Sequence, residues 1–268
     1  MTPYLIALDL DGTLLTSDKT ISERTKSVIT NLKRQGHQFV ISTGRPYRAS
    51  QNYYDDLGLD TPIINFNGAF IHHPLDTTWG SHHFPMTLET AVSVLKTCET
   101  YRLNNIIAEV RDDVYIQHPN PEVIEAFQSG NPRITTGNVQ AMLTDHPTSV
   151  LIEVNHQDVD HVIRALDTHH AQAIKQRSWG DPSNIIEVIR SGVSKAEGLK
   201  LVAHDLGIPQ DKIIAFGDED NDLEMLSYAQ YGIAMGNAAG EVKQIAFDTT
   251  DTNDQDGIGN YLETFFSS

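Results

Sequence analysis

The apolar positions near the two ends of the chain form short unbroken runs, and these runs alternate with amphipathic segments. Four runs are long enough for strands that are buried on both faces of a sheet: residues 4–8, 39–41, 213–216 and 233–235. Between the runs, apolar residues recur every three or four positions, as Val28 and Leu32 do ahead of Gly36. This alternation predicts an open α/β sheet with helices on both faces.

The middle of the chain has a different pattern, in which a helix is followed by strands. The pattern occurs twice, at about 88–116 and 159–189, and predicts a smaller α+β domain. We therefore predict that this domain is an insertion, spanning residues 83–188, in a core formed by residues 1–82 and 189–268.

The composition and net charge of the chain limit the kinds of molecule that it is expected to bind. The 268 residues are 39% hydrophobic and 21% charged, as in a globular protein, and 36 acidic residues against 19 Lys and Arg give a net charge of −17. Such a polyanion repels nucleic-acid backbones and anionic lipid. We expect neither nucleic acid nor membrane as a partner, and a phosphorylated ligand would need a metal ion or a local cationic pocket.

The chain has a single cysteine, Cys98, which excludes an internal disulfide framework and a CxxC zinc site and is expected to fill space in a helix. The N-terminal residues have no basic region and no apolar stretch of signal length, and no run approaches the ~18–20 residues of a membrane span. We expect a cytoplasmic protein that is a monomer or a small homo-oligomer.

Two acidic clusters directly follow apolar runs. Asp9 and Asp11 follow the first run, and residues 217–222 (GDEDND) follow the third. Ligands of open α/β sheets bind at the carboxyl ends of the strands, where burial of Asp9 is costly unless its charge is paired. Each cluster alone could be a solvated loop or helix start. Together they predict a divalent cation with oxygen ligands, Mg²⁺ by default.

Features of the opposite polarity follow other predicted elements. Residues 42–46 (STGRP) offer a hydroxyl and backbone N–H groups to an anion at a strand end. Lys195 lies in the first turn of a helix that Ser194 is expected to cap, where a cation is electrostatically unfavourable. An exposed surface lysine is the alternative, but the adverse position favours a ligand role for Lys195.

Taken in order, these features resemble the four motifs of the haloacid dehalogenase superfamily of phosphohydrolases, and within it the Cof-type branch. The matching segments are residues 9–13 (DLDGT), 42–45 (STGR), Lys195 and 217–222, with 63–69 (IINFNGA) similar to the branch's Asn-Gly-Ala stretch. The branch often has Gly after the motif-three lysine, where this chain has Ala196. The resemblance implies an α/β fold with a Rossmann-like three-layer parallel-sheet core and an inserted α+β cap domain of the C2B type.

The resemblance also implies roles for single residues. Asp9 would be the nucleophile that forms an aspartyl-phosphate, and Asp11 the general acid and then the base. Mg²⁺ would be held by Asp9, the Asp11 carbonyl oxygen and Asp218, with Asp222 binding or orienting the metal shell. The phosphoryl group would be held by side-chain and backbone groups of Leu10, Thr43, Gly44, Lys195 and Asn221.

Residues for substrate choice are harder to identify. The segment 179–184 (WGDPSN) is either a plain turn or a loop that helps to select the substrate, with Asp181 and Asn184 as candidates. Arg45 either reaches the substrate or pairs with a nearby acid.

The predicted function is Mg²⁺-dependent hydrolysis of a small phosphomonoester, such as a sugar phosphate or a similar metabolite. A phosphosugar mutase is the first alternative, because an aspartyl-phosphate can return its phosphoryl group to a second hydroxyl. A non-catalytic sensor of a phosphorylated ligand is the other. The intact set of Asp9, Asp11, Lys195 and Asp218 argues against a sensor, which needs no general acid.

Overall fold

The computed structural model describes residues 3–178 and 184–267. Residue contacts divide the chain into two compact units. The first unit comprises Met1–Arg45, Ser50–His82 and Ser194–Ser268, and the second comprises Pro46–Ala49 and His83–Val193.

The described residues contain fourteen strands and ten α-helices. The strands are β1 (Leu5–Leu8), β2 (Gln38–Ile41), β3 (Ile63–Asn65), β4 (Phe70–His72), β5 (Ser81–His83), β6 (Leu103–Val110), β7 (Asp113–Ile116), β8 (Ile134–Thr136), β9 (Ser149–Val154), β10 (Ile174–Ser178), β11 (Ile185–Arg190), β12 (Ile213–Gly217), β13 (Tyr231–Ala234) and β14 (Asp248–Thr249). The helices are α1 (Glu23–Arg34), α2 (Gln51–Asp56), α3 (Leu88–Cys98), α4 (Pro121–Phe127), α5 (Val139–Met142), α6 (Val159–His170), α7 (Lys195–Asp205), α8 (Leu223–Tyr228), α9 (Gly240–Ile245) and α10 (Gly257–Ser267).

A parallel sheet with the strand order β14-β13-β12-β1-β2 forms the centre of the first unit. Every residue of β1 and β12 is buried, as the unbroken apolar runs predict. Helix α1 packs against α10, while α7 packs against α8 and β3. The register places Leu8 beside both Ile41 and Phe216, so β1, β2 and β12 end at the same edge of the sheet.

Local sequence explains the first helix of this unit. The Ser22 hydroxyl accepts a hydrogen bond from the Thr25 backbone N–H at 3.1 Å, so Ser22 caps α1. Val28 and Leu32 are buried, and the chain leaves the helix at Gly36, whose φ of +97° suits glycine.

The second unit is built on a six-stranded sheet with the order β10-β11-β9-β6-β7-β8. Its pairs are antiparallel except for β7 and β8, and a hairpin around residues 111–113 connects β6 to β7. Helices α3 and α6 contribute to one apolar cluster, in which Cys98 is fully buried as expected. Helix α4 packs against a second cluster around Leu151.

A buried ion pair joins residues 46–49 to the sheet of the second unit. Arg48 Nη2 lies 2.9 Å from Glu109 Oε2, and both side chains are at most 6% exposed. Burial raises the pKa of Glu109 to about 7, although Arg48 opposes the shift. Glu187 is also buried, and its charge adds to the rise.

The helices are short by the standard of a lipid bilayer. The longest, α1 and α6, have 12 residues each, whereas a bilayer needs about 20 apolar residues. In residues 3–178 and 184–267, no helix has the length and apolar character to cross a membrane.

Candidate active site

Three buried carboxylates meet at the edge of the parallel sheet where β1 and β12 end. Asp9 follows β1, Asp218 follows β12, and Asp222 lies one turn further along the chain. Their exposed fractions are 5%, 7% and 0%, and one oxygen of each lies within 4.8 Å of the others. The adjacent ends of two parallel strands thus bring together the two acidic clusters that lie far apart in sequence.

Lys195 supplies positive charge to this cluster. Its Nζ donates hydrogen bonds of 2.7 Å to Asp9 Oδ1 and to Asp222 Oδ1, and its side chain is 1% exposed. The side chain starts at the first turn of α7, where the Ser194 hydroxyl accepts from the Glu197 backbone N–H. The alternative of an exposed surface lysine is therefore wrong.

The charges of this cluster do not cancel. Burial alone would lower the pKa of Lys195, but Asp222 and Asp9 raise it, so the ammonium group stays protonated. Burial raises the pKa of Asp9 against the opposing effect of Lys195, with Asp222 and Asp218 adding to the rise. Burial also raises the pKa of Asp218 to about 7, although the Thr13 hydroxyl donates to it at 2.7 Å. Three carboxylates face one ammonium group.

The donor set fits a hard divalent cation. The three clustered side chains offer only oxygen, which Mg²⁺ prefers, and their burial makes a compensating charge favourable. Asp222 differs from the others because both its oxygens already accept protein hydrogen bonds. Its Oδ2 accepts from the backbone N–H groups of Asp218 and Glu219 at 3.0 and 3.2 Å, while Oδ1 accepts from Lys195. The geometry of Asp222 favours an orienting role over direct contact with an ion.

Position 12 lies so close to this cluster that it requires glycine. Its φ is +75°, and a Cβ atom built there would lie 2.2 Å from Asp218 Oδ2. Glycine is therefore required at this position for two reasons: it adopts the left-handed backbone, and it leaves room for the Asp218 carboxylate.

Asp11 is held outside the cluster by two cations. Arg45 donates from Nε to Oδ2 and from Nη2 to Oδ1, both at 2.6 Å, and Lys19 Nζ donates to Oδ1 at 2.8 Å. Partial burial would raise the pKa of Asp11, but the hydrogen bonds from Arg45 and Lys19 lower it to about 2. In this arrangement Asp11 is a carboxylate that can accept a proton and has none to donate.

The other predicted phosphate ligands lie near the end of β2 and at the start of α8. Thr43 is 1% exposed, and its Oγ1 accepts from the Arg45 backbone N–H at 3.1 Å. Gly44 and Asn221 both adjoin Asn67: a Cβ on Gly44 would lie 3.2 Å from Asn67 Oδ1, which accepts from Asn221 Nδ2 at 2.9 Å. Leu10, which lies between Asp9 and Asp11 in the sequence, is fully buried.

The candidates for substrate choice are only partly described. Asp181 lies outside the described residues. Asn184 directly precedes β11 in the second unit, with φ of +50° and its Oδ1 3.2 Å from His156 Nδ1. Of the two interpretations of Arg45, the structure shows pairing with an acid, namely Asp11.

The same features in the same order define a known family. The family model of the haloacid dehalogenase-like hydrolases matches residues 6–262. This chain belongs to the haloacid dehalogenase-like hydrolases. The predicted membership of this superfamily and the predicted enzyme class are confirmed.

Relatives within the family are phosphatases by name. The chain is 49% identical over 265 residues to 5-amino-6-(5-phospho-D-ribitylamino)uracil phosphatase YitU of Bacillus subtilis, covering 99% of this chain and 98% of the relative. It is 29% identical over 273 residues to pyridoxal phosphate phosphatase YbhA of Escherichia coli, with 98% of each chain covered. Both matches extend over the parallel-sheet unit and the second unit.

Solved structures confirm the predicted fold class. A haloacid dehalogenase-like hydrolase from Bacteroides thetaiotaomicron superposes with a TM-score of 0.85 at 25% identity, covering 99% of this chain and 100% of the other. A haloacid dehalogenase subclass IIB sugar phosphatase superposes with a TM-score of 0.82 at 22% identity, covering 98% and 99%. The second match bears on the fold alone.

Two contacts of this haloacid dehalogenase-like site were missed from sequence. Lys19 gave no signal, because its pairing with Asp11 depends on the loop between β1 and α1. Asn67 lies in the quoted segment 63–69, but nothing in the sequence connects it to Asn221, 154 residues away. Thr13, the donor to Asp218, belongs to the first motif, so the motif itself was its signal.

Proposed function

We propose that this chain is a Mg²⁺-dependent phosphatase in which Asp9 is the nucleophile. The observation that carries the proposal is the buried contact of Lys195 with Asp9 and Asp222 beside Asp218. A buried lysine that contacts two carboxylates beside a third can neutralise a reacting phosphate with its ammonium group, while the carboxylates hold a cation. A structural core would not accumulate these charges at such a cost.

The first step transfers the phosphoryl group to Asp9. A carboxylate oxygen of Asp9 forms a bond to phosphorus while the bond from phosphorus to the ester oxygen breaks. Asp11 gives its proton to the departing oxygen. This acid role requires that Arg45 and Lys19 first release Asp11, because their hydrogen bonds hold its pKa far below neutrality.

The second step hydrolyses the aspartyl-phosphate. Asp11, now a carboxylate, takes a proton from water, whose oxygen forms the new bond to phosphorus. The bond from phosphorus to the Asp9 oxygen breaks, which restores the carboxylate and releases inorganic phosphate. The low pKa of Asp11 beside Arg45 and Lys19 suits this step.

The remaining groups hold charge in place. Asp9, Asp218 and the Asp11 carbonyl oxygen would hold Mg²⁺. Asp222 would orient Asp218, because its carboxylate accepts the hydrogen bond of the Asp218 backbone N–H. When bound, the ion supplies positive charge that lets a carboxylate approach a phosphate dianion. Lys195 stays protonated and would neutralise phosphoryl oxygens together with the donors of Leu10, Thr43, Gly44 and Asn221.

The substrate is proposed from similarity. The Bacillus subtilis relative, at 49% identity, is named for a phosphorylated ribitylamino-pyrimidine. We propose a phosphomonoester of this class, with a sugar-alcohol chain and a nitrogen heterocycle, as the substrate of this chain. The domain with predicted bounds 83–188 would be the cap that selects the leaving group, with Arg45, Asp181 and Asn184 still predicted to contribute. The cytoplasmic location and the oligomeric state also remain predictions.

One incubation separates the candidate functions. The purified protein with Mg²⁺ is given 5-amino-6-(5-phospho-D-ribitylamino)uracil or a hexose phosphate, and free phosphate and isomerised sugar phosphate are measured. We expect phosphate release, fastest from the ribitylamino compound. Isomerisation without phosphate release would favour the mutase, and binding without turnover would favour the sensor. The Asp9→Asn variant is the control for a contaminating phosphatase.

A further inference from the structure

The segment after β3 has an unusual backbone. Phe66, Asn67 and Gly68 have successive φ angles of +51°, +54° and +97°. We call Phe66–Gly68 the Asn67 turn. Positive φ is uncommon outside glycine and is an outlier for a bulky residue such as Phe66. Strain of this kind persists only where the surrounding structure enforces it, and it concentrates at functional sites.

Backbone contacts fix the Asn67 turn against the second motif. The Phe66 N–H donates to the Arg45 carbonyl at 3.2 Å, and the Asn67 N–H donates to the Thr43 carbonyl at 3.0 Å. The turn is also fixed by Asn65 Nδ2, which donates to the Arg45 carbonyl at 3.0 Å. These bonds set the path of the chain through Thr43 and Arg45.

The same turn touches the third motif. A Cβ on Gly68 would lie 2.2 Å from the carbonyl oxygen of Ser194, the residue that precedes Lys195 and caps α7. Only glycine allows this approach, so the turn packs directly against the backbone from which the Lys195 side chain starts.

The Asn67 side chain reaches the fourth motif. Its Oδ1 accepts from Asn221 Nδ2 at 2.9 Å. Among the described residues, Asn221 Oδ1 is buried without a hydrogen-bond partner. The bond that Asn221 donates to Asn67 therefore orients the Asn221 amide, and the second Nδ2 proton is not needed for this bond and can serve a ligand.

We propose that Asn67 is a positioning residue for phosphate binding, whose side chain acts by orienting Asn221. A turn that contacts motifs two, three and four at once arranges in advance the groups that the proposed function assigns to the phosphoryl oxygens. This inference rests on that proposed function. A purely structural turn is the alternative.

The Asn67→Gly variant separates a positioning role of the Asn67 side chain from a purely structural role of the turn. Glycine adopts positive φ without cost, so the backbone is preserved while the side-chain amide is lost. We expect the variant to fold with a thermal midpoint only modestly below that of the wild type, and with the inhibition constant of inorganic phosphate raised on the order of ten-fold, as for the loss of one such hydrogen bond. Asn131→Gly is the matched control, because Asn131 also has φ of +54° but is exposed in the second unit.

The double variant Asn67→Gly, Asn221→Ala tests the route of the effect. If Asn67 acts through Asn221, the inhibition constant of the double variant equals that of Asn221→Ala alone. Additive losses, or a wild-type inhibition constant for Asn67→Gly, would overturn the inference. So would failure of both Asn67→Gly and Asn67→Ala to fold while Asn131→Gly folds. An inactive wild-type enzyme would contradict the proposed function, whereas the inference would then be judged by the dissociation constant of inorganic phosphate for the same variants, measured by calorimetry, which needs no turnover.

Discussion

Replacement of Gly12 by alanine tests whether the Asp218 carboxylate must stay where the structure places it. A Cβ at this position would lie 2.2 Å from Asp218 Oδ2 and 2.8 Å from its Cγ. The Asp218 side chain cannot yield freely, because its Oδ1 accepts the Thr13 hydrogen bond of 2.7 Å. The variant therefore moves a proposed metal ligand without changing its chemistry.

Two separate costs follow from the geometry. Alanine in the left-handed region costs about 1–2 kcal/mol of folding free energy, wherever it lies. An ordinary carbon–oxygen contact begins near 3.4 Å, so the carboxylate must also move by about 1 Å. A misplacement of that size in a positioned site costs about 100-fold in rate, or roughly 2.7 kcal/mol of transition-state stabilisation.

Gly80→Ala is the matched control for the cost of placing alanine in the left-handed region. Gly80 has φ of +77° in the same unit, but nothing lies within 4 Å of its added Cβ. Gly80→Ala should lose thermal stability through the left-handed backbone alone, and Gly12→Ala should lose more because its added Cβ also displaces the Asp218 side chain. Only Gly12→Ala should lose about 100-fold in kcat/KM on a nitrophenyl phosphate and need more Mg²⁺ for half-maximal rate. Equal kcat/KM values and equal Mg²⁺ dependence for the two variants would refute the reasoning.

Other expectations concern the reacting groups and one buried acid. Asp9→Asn should lower turnover at least ~10³-fold, measured by phosphate release, and near wild-type activity would contradict its role as nucleophile. Asp11→Asn should slow poor leaving groups more than a nitrophenyl ester, and equal losses would remove the general-acid role. EDTA should abolish activity and Mg²⁺ restore it, whereas Zn²⁺ should substitute poorly for a set of oxygen ligands, and full activity after exhaustive chelation would contradict the metal site. The folded pKa of Glu109 is about 7 against an ordinary 4.5, so the folded chain binds the extra proton. The free energy of unfolding should therefore fall by up to about 3 kcal/mol as pH rises from about 4.5 to 7, and Glu109→Gln should flatten this slope in denaturant titrations; an unchanged slope would contradict the assignment.

The parts of the structure that the sequence predicts are those encoded by local chemistry. Strands buried on both faces leave unbroken apolar runs, and β1, β2, β12 and β13 lie at or within a residue or two of those runs. Lys195 was identified as a site residue because a cation at a helix start is unfavourable unless anions surround it. Asp9 and Asp222 are those anions.

Elements without such signals were not predicted. Strand β8 is partly exposed and has three residues, and helix α4 has none of its residues buried, so neither has clear periodicity. Strand β14 consists of two exposed residues that pair with β13, so it leaves no apolar run in the sequence. The pairing of Asp11 with Arg45 depends on side chains 34 residues apart, which only the folded chain brings together.

The charge of the site explains why a strongly acidic chain can act on an anion. The net charge of −17 opposes phosphate at long range, but salt screens exposed charges beyond about 8–10 Å. Buried charges are screened much less, so the groups within the site decide the outcome. Lys195 neutralises one of three carboxylates there, and Asp222 uses both oxygens within the protein. Burial raises the pKa of Asp9 and of Asp218, so under the proposed function the loading of Mg²⁺ would favour their ionised forms and would convert this site into one able to accept phosphate.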